Sequence, residues 1–127
     1  MKYLSDYAQE GLSKLFKEYG VFFAFSNKQY EEKAERDVAY VHLFSGMICP
    51  KEHAKILLKK LHECHMAAIK TDIEENGKEA IIKRELYNHE AFYVYSIEDT
   101  VDCLKNYEIT TDEIQEVFAE ELPNVEF

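Results

Sequence analysis

The decapeptide RELYNHEAFY, residues 84–93, sets Arg84, Glu85, Asn88 and His89 among Leu86, Ala91 and Phe92, side chains that seek burial. Glu85 and His89, four residues apart, share one face of a helix, and a carboxylate beside an imidazole is a common acid–base pair. An enzyme reading joins them to His65 as the site of a small hydrolase or ligand-binding protein. The leading reading is structural: His65, Asp72, Arg84, Glu85, Asn88 and His89 hydrogen-bond to one another between two helices. A buried polar group left unpaired costs roughly 1–3 kcal/mol, so such a cluster must satisfy itself. A patch that contacts a partner is a third use for the same residues.

Cys49, His53, His62, Cys64 and His65 raise metal binding as a second chemistry. Tetrahedral zinc needs its ligands within about 2.0–2.3 Å of one point. On a continuous helix rising 1.5 Å per residue, Cys49 and His53 fall roughly 14–20 Å from His62 and His65. No single ion holds them all, and His62 with His65 lacks a second half, so neither metal nor cofactor is expected. Cys49 stands before Pro50, where a helix N-terminus would lower a thiol pKa; capping or plain packing is the commoner role for such a residue. Serine and cysteine sit in no nucleophile motif, and four glycines are too few for the usual phosphate-cradling loops. Three cysteines without a close CxxC pair imply reduced thiols.

The elements that must position these residues follow from periodicity. Leu4, Tyr7, Ala8, Leu12, Leu15 and Phe16 recur at helical spacing, and Gly20 suits the left-handed position beyond the helix end. VFFAF (21–25) and VAYVHLF (38–44) read as strands that can pair, with Ser26 capping a short helix between them. Pro50 suits a first helical position, and the next breaker is Asn76–Gly77, so a helix of about 25 residues, roughly 38 Å long, is expected. Its inward stripe is Ala54, Leu57, Leu58, Leu61, His65 and Ala68.

A second helix from Lys78 carries Ile81, Ile82, Leu86, His89 and Tyr93, making an αα-hairpin in which His65 faces Asn88 and Ile69 faces Arg84. Where that helix stops is open, since AFYVY can continue as a strand. Ser96 opens a further helical stretch with Ile97, Val101 and Leu104 in step. Thr110 and Glu113 have capping-box spacing, flanked by the staple pair Ile109 and Ile114, and place the last helix. The fold class expected is α+β and mainly helical: five to six helices including the long αα-hairpin, plus a small two-stranded β element. With 127 residues and 46% apolar side chains, residues 1–127 are expected to form a single domain. No apolar run reaches the roughly 20 residues of a membrane span, and no signal-peptide pattern opens the chain, so a cytoplasmic protein is expected.

The charge is lopsided. Residues 1–95 hold 15 acidic and 14 basic side chains, whereas residues 96–127 hold 10 acidic and 1 basic. The acidic helical part, residues 96–122, presents Glu98, Asp99, Asp102, Asp112, Glu113, Glu116, Glu120 and Glu121. Two short helices joined by a tight turn suggest a DNA-reading helix-turn-helix, but such a helix needs Lys, Arg or amide groups toward phosphates and bases. Direct nucleic-acid binding is therefore not expected. A basic protein surface, such as that of a nucleic-acid-binding nuclease or effector, is the partner this field attracts. The plainer reading is a solvated, solubilising face. A homodimer through Tyr3, Tyr7 or Tyr95 is a third class of function.

VFFAFSNKQYEEK, SGMICPKEHAK, IEENGKEAIIKRELYNHEAFY and SIEDTVDCLKNYEIT together resemble a family of small uncharacterised proteins encoded by phages and mobile elements of gut bacteria. The similarity spans roughly residues 20 to 118. It implies a bacterial host cell and a setting where small acidic proteins often block host or competitor enzymes, as anti-CRISPR and other anti-defence inhibitors do. It implies no catalytic residues.

Overall fold

The computed structural model describes residues Met1–Phe127, which divide into two compact units, Met1–Ala67 and Ala68–Phe127. The first begins with α1 (Leu4–Glu18), which Gly20 ends at φ 68°. Three strands follow: β1 (Phe22–Phe23), β2 (Tyr40–His42) and β3 (Met47–Pro50), with α2 (Asn27–Lys33) between the first two. Ser26 caps α2 as expected, its Oγ accepting the Gln29 N–H at 3.2 Å.

The sheet has three strands, not two. Its order is β1-β3-β2 with both pairings antiparallel, Phe22 opposite Ile48 and Val41 opposite Cys49. The central strand lies in the stretch the sequence assigns to a break and a helix start. MICP is short and ends in proline, whose missing N–H falls beyond the stretch that β1 pairs, and all four residues are buried. The 3-10 turn Lys51–His53 then leads into α3 (Ala54–Asn76). Leu57, Met47 and Cys49 form the core of this unit, with Leu15, Phe16, Phe23 and Leu61 packed on it.

Cys49 is thus a strand residue in the core and not a helix-start thiol. Burial raises its pKa, and its Sγ donates to the Pro50 carbonyl at 3.3 Å. Cys64 is half-buried on α3, near the Ala8 carbonyl.

The second unit holds the end of α3 and then α4 (Lys78–Asn88), α5 (Ala91–Val94), α6 (Glu98–Leu104) and α7 (Thr111–Glu121). That makes seven α-helices, more than the five or six expected, because RELYNHEAFY does not continue as one element. Glu90 and Tyr95 both adopt left-handed backbone, φ 54°, so AFYV becomes a separate single-turn helix and not a strand. Thr110 caps α7 as expected, its Oγ1 accepting the Glu113 N–H at 3.1 Å, with Ile109 and Ile114 buried around the cap. Ile81, Ile82, Leu86, Phe92, Leu104 and Ile114 build the core. α4 packs mainly against α7, α5 and α6.

Gly77 joins α3 to α4 at φ 77° and ψ 154°, a backbone region open essentially to glycine alone. A Cβ there would meet nothing within 4 Å. Gly77→Ala is therefore expected to destabilise by about 1–3 kcal/mol through backbone strain alone. Urea unfolding checks this: the midpoint should fall with its slope unchanged.

Candidate functional site

Asp72, on the last turns of α3, is fully buried and charged only at the cost of leaving water. Four donors satisfy it. Arg84 Nη1 and Nη2 bond Oδ1 and Oδ2 at 2.9 Å each, Asn76 Nδ2 adds 2.8 Å to Oδ1, and the Tyr107 hydroxyl donates to Oδ2 at 2.7 Å. The planar guanidinium fits a carboxylate with two parallel bonds, the strongest side-chain pairing available. Arg84 lies on α4 and meets Asp72, three residues closer to the turn than Ile69. Side chains on a helix lean toward its N-terminus, so the long Arg84 reaches toward Gly77.

Arg84 also extends the network along α4. Its Nε donates to Glu85 Oε1 at 2.8 Å. On the other oxygen, Oε2, Cys103 Sγ from α6 and Asn88 Nδ2 each approach at 3.5 Å. His89, one turn beyond Glu85, brings Nε2 to 3.4 Å from Oε2. That contact is not aligned as a hydrogen bond, and His89 Nε2 is a buried atom without a hydrogen-bond partner. Thr100 Oγ1 donates to the Glu85 carbonyl at 3.4 Å.

The pKa values follow these contacts. Burial alone would raise the Asp72 carboxyl, but hydrogen bonds from Arg84, Tyr107 and Asn76, with the guanidinium charge, outweigh it and hold the group below its usual value. Burial disfavours charged Arg84, and its bonds to Asp72 and Glu85 reverse that, strengthening its hold on the proton. Tyr107 is raised by burial and by the Asp72 carboxylate that accepts its proton. The Cys103 thiol is pushed up to about 11 by burial and then by the charge of Glu85 and the bond to it.

Asp72, Arg84, Glu85 and Asn88 thus join in one hydrogen-bonded chain, with His89 beside it but not hydrogen-bonded through Nε2. His65 lies in the first unit, half-buried on α3. Glu85 is held on both oxygens. Tyr107, Cys103, Thr100 and Asn76 are the members the sequence analysis missed. Asn76 was legible, four residues after Asp72 on one helix face; the others arrive from α6 and the turn after it. Cys49, His53, His62, Cys64 and His65 form no metal-ligand grouping, whereas the ligand atoms of Glu85, His89 and Cys103 lie within 4.8 Å of one another.

The acidic residues occupy the outside of this unit. Along α7, Asp112, Glu113, Glu116 and Glu120 fall within about 100° of one another at 3.6 residues per turn, on the side away from the buried Ile114, and all four are exposed. None makes an ion pair with a basic side chain. Glu113, Glu116 and Glu120, with Lys78 and Glu79 of α4, line an open groove of about 390 Å³. On α6, Glu98, Asp99 and Asp102 are likewise exposed on one face. Glu121 differs: it is half-buried, pairs with Lys83 at 3.5 Å and accepts from the Tyr87 hydroxyl at 3.0 Å. Of the aromatics considered for a dimer contact, Tyr3 and Tyr95 are exposed and Tyr7 is half-buried. No helix is long and apolar enough to cross a membrane.

The sequence matches a family of unknown function (DUF7659) over residues 4–125. No curated protein and no solved structure matches it.

Two outcomes test the buried seam. Asp72→Asn leaves Arg84 buried beside a neutral amide and should cost about 3–5 kcal/mol in chemical denaturation, as breaking a buried pair does. Because the folded-state pKa of Asp72 is depressed, its contribution is full above the unfolded value near 3.8 and is lost as pH falls through the lower folded value. Stability measured between pH 6 and roughly 2 should fall less steeply in Asp72→Asn than in the wild type. Tyr107→Phe, which removes one donor and leaves the pair intact, should cost about 1–3 kcal/mol in the same measurement.

Proposed function

The chain belongs to the DUF7659 family of unknown function, and on that premise we propose that it is a small acidic, non-catalytic interaction protein that docks on a basic protein surface. The observation that carries this reading is the outer face of α7, where Asp112, Glu113, Glu116 and Glu120 stand exposed together without basic partners. An unneutralised row of carboxylates raises a local negative potential that attracts cationic patches and repels nucleic acid. Glu98, Asp99 and Asp102 on α6 add to the field. A surface that normally holds DNA or RNA phosphates fits best, so the target class is a nucleic-acid-binding nuclease or effector, and the mode of action is competition with the nucleic acid. In a phage- or mobile-element setting within a bacterial host cytoplasm, this is an anti-defence inhibitor of the anti-CRISPR kind. The buried seam of Asp72, Arg84 and Glu85 holds the helices that display the face.

Affinity capture from bacterial host lysate, with elution by a salt gradient, tests the reading. The captured protein should be basic and elute at moderate salt, because exposed charge pairs are screened beyond about 10 Å at 0.1 M. The triple variant Glu113→Gln, Glu116→Gln, Glu120→Gln should retain the fold and lose that protein. Retention by the triple variant, or a complex insensitive to salt, sinks the proposal.

A further inference from the structure

We propose that Glu85, His89 and Cys103 form a binding site for a divalent metal ion of the zinc class. The site lies on α4 and α6 and does not depend on the docking reading of α7.

The geometry supports it first. Zinc bonds of about 2.0 Å to nitrogen and oxygen and 2.3 Å to sulfur, arranged tetrahedrally, leave the ligand atoms about 3.3 Å apart for N···O and 3.5 Å for S···O. His89 Nε2 lies 3.4 Å from Glu85 Oε2, and Cys103 Sγ lies 3.5 Å from the same oxygen. The third edge, Sγ to Nε2, is within 4.8 Å and closes with a small rotation of the exposed Cys103. Two edges of the coordination polyhedron are already at length before any ion enters.

Two independent features point to a cation. His89 Nε2 is a buried side-chain nitrogen left without a hydrogen-bond partner, 3.4 Å from Glu85 Oε2, and in the tautomer protonated at Nδ1 it offers its lone pair to a metal ion. Glu85 also shares the guanidinium of Arg84 with the buried Asp72, so a cation at Oε2 would face two buried carboxylates. A thiol, an imidazole and a carboxylate select the zinc class over magnesium or calcium, which prefer oxygen alone. Arg84 Nε, bonded to Oε1, fixes the carboxylate with Oε2 toward the ion, as an outer partner of a ligand commonly does. Binding replaces the Cys103 S–H by a sulfur–metal bond and releases that proton to solvent. Three protein ligands leave a fourth position for water, on the side where Cys103 and the His89 ring, 30% exposed, reach solvent.

Cobalt(II) serves as the probe, since thiolate ligation gives an intense near-ultraviolet charge-transfer band and tetrahedral geometry gives strong visible bands. Wild-type protein, kept reduced, should bind one equivalent with both signatures, and zinc should displace the cobalt. Cys103→Ser, whose hydroxyl can still donate to Glu85, should abolish the charge-transfer band while Cys64→Ser keeps it. His89→Gln should keep the band but weaken binding by more than the roughly 10- to 100-fold that loss of an outer-shell partner costs. Far-UV circular dichroism before each titration separates ligand loss from unfolding, and His89→Gln stands in should Cys103→Ser fail to fold. A wild-type protein without the band at one equivalent overturns the site, as does a band that survives Cys103→Ser or an affinity unmoved by His89→Gln.

Discussion

The Asp72–Arg84 pair is the constraint on which the second unit rests. A carboxylate with no access to solvent must have its lone pairs occupied, and Asp72 has two donors on each oxygen. Those donors come from α3 itself, from α4 and from the turn after α6, so three segments of chain are held at one point. Replacing the pair by hydrocarbon would leave similar burial without direction. The hydrogen bonds instead favour one register, because the guanidinium donates edge-on to the carboxylate through two parallel bonds and the Tyr107 hydroxyl donates to Oδ2.

From Arg84 the polarity runs outward by a single bond. Nε fixes one oxygen of Glu85, and the other faces Asn88, His89 and Cys103. The seam therefore grades from a closed, fully satisfied interior at Asp72 to a less satisfied margin at His89. Polar groups of one cluster thus divide into two kinds: those whose hydrogen bonds are made and which hold helices, and His89 Nε2, buried without a partner. The outer acids are a third population. Glu121 is tied down by Lys83 and Tyr87, while its neighbours on α7 face solvent.

Local rules were legible where they act over a few residues. The caps at Ser26 and Thr110, the left-handed Gly20 and the end of α3 at Asn76–Gly77 all follow from short-range backbone chemistry. β3 was not legible, because a four-residue strand ending in proline carries no period and draws its stability from the strands on either side. The end of α4 was equally hidden: the break depends on left-handed Glu90 and Tyr95, neither of which is a glycine. Cys49 looked like a helix-start thiol only because its strand had gone unseen.

The sequence by itself determined where helices begin at Ser26 and Thr110, proposed a polar seam of His65, Asp72, Arg84, Glu85, Asn88 and His89, and showed that the negative charge gathers in the last quarter of the chain. These follow from composition and helical period, which are properties of neighbours along the chain. Tertiary structure alone decided that Tyr107 and Cys103 complete the seam and that α7 turns four carboxylates outward together. Those are meetings between segments up to 35 residues apart, set by how α4 packs on α6 and α7, and no periodicity within one segment encodes the partner supplied by another.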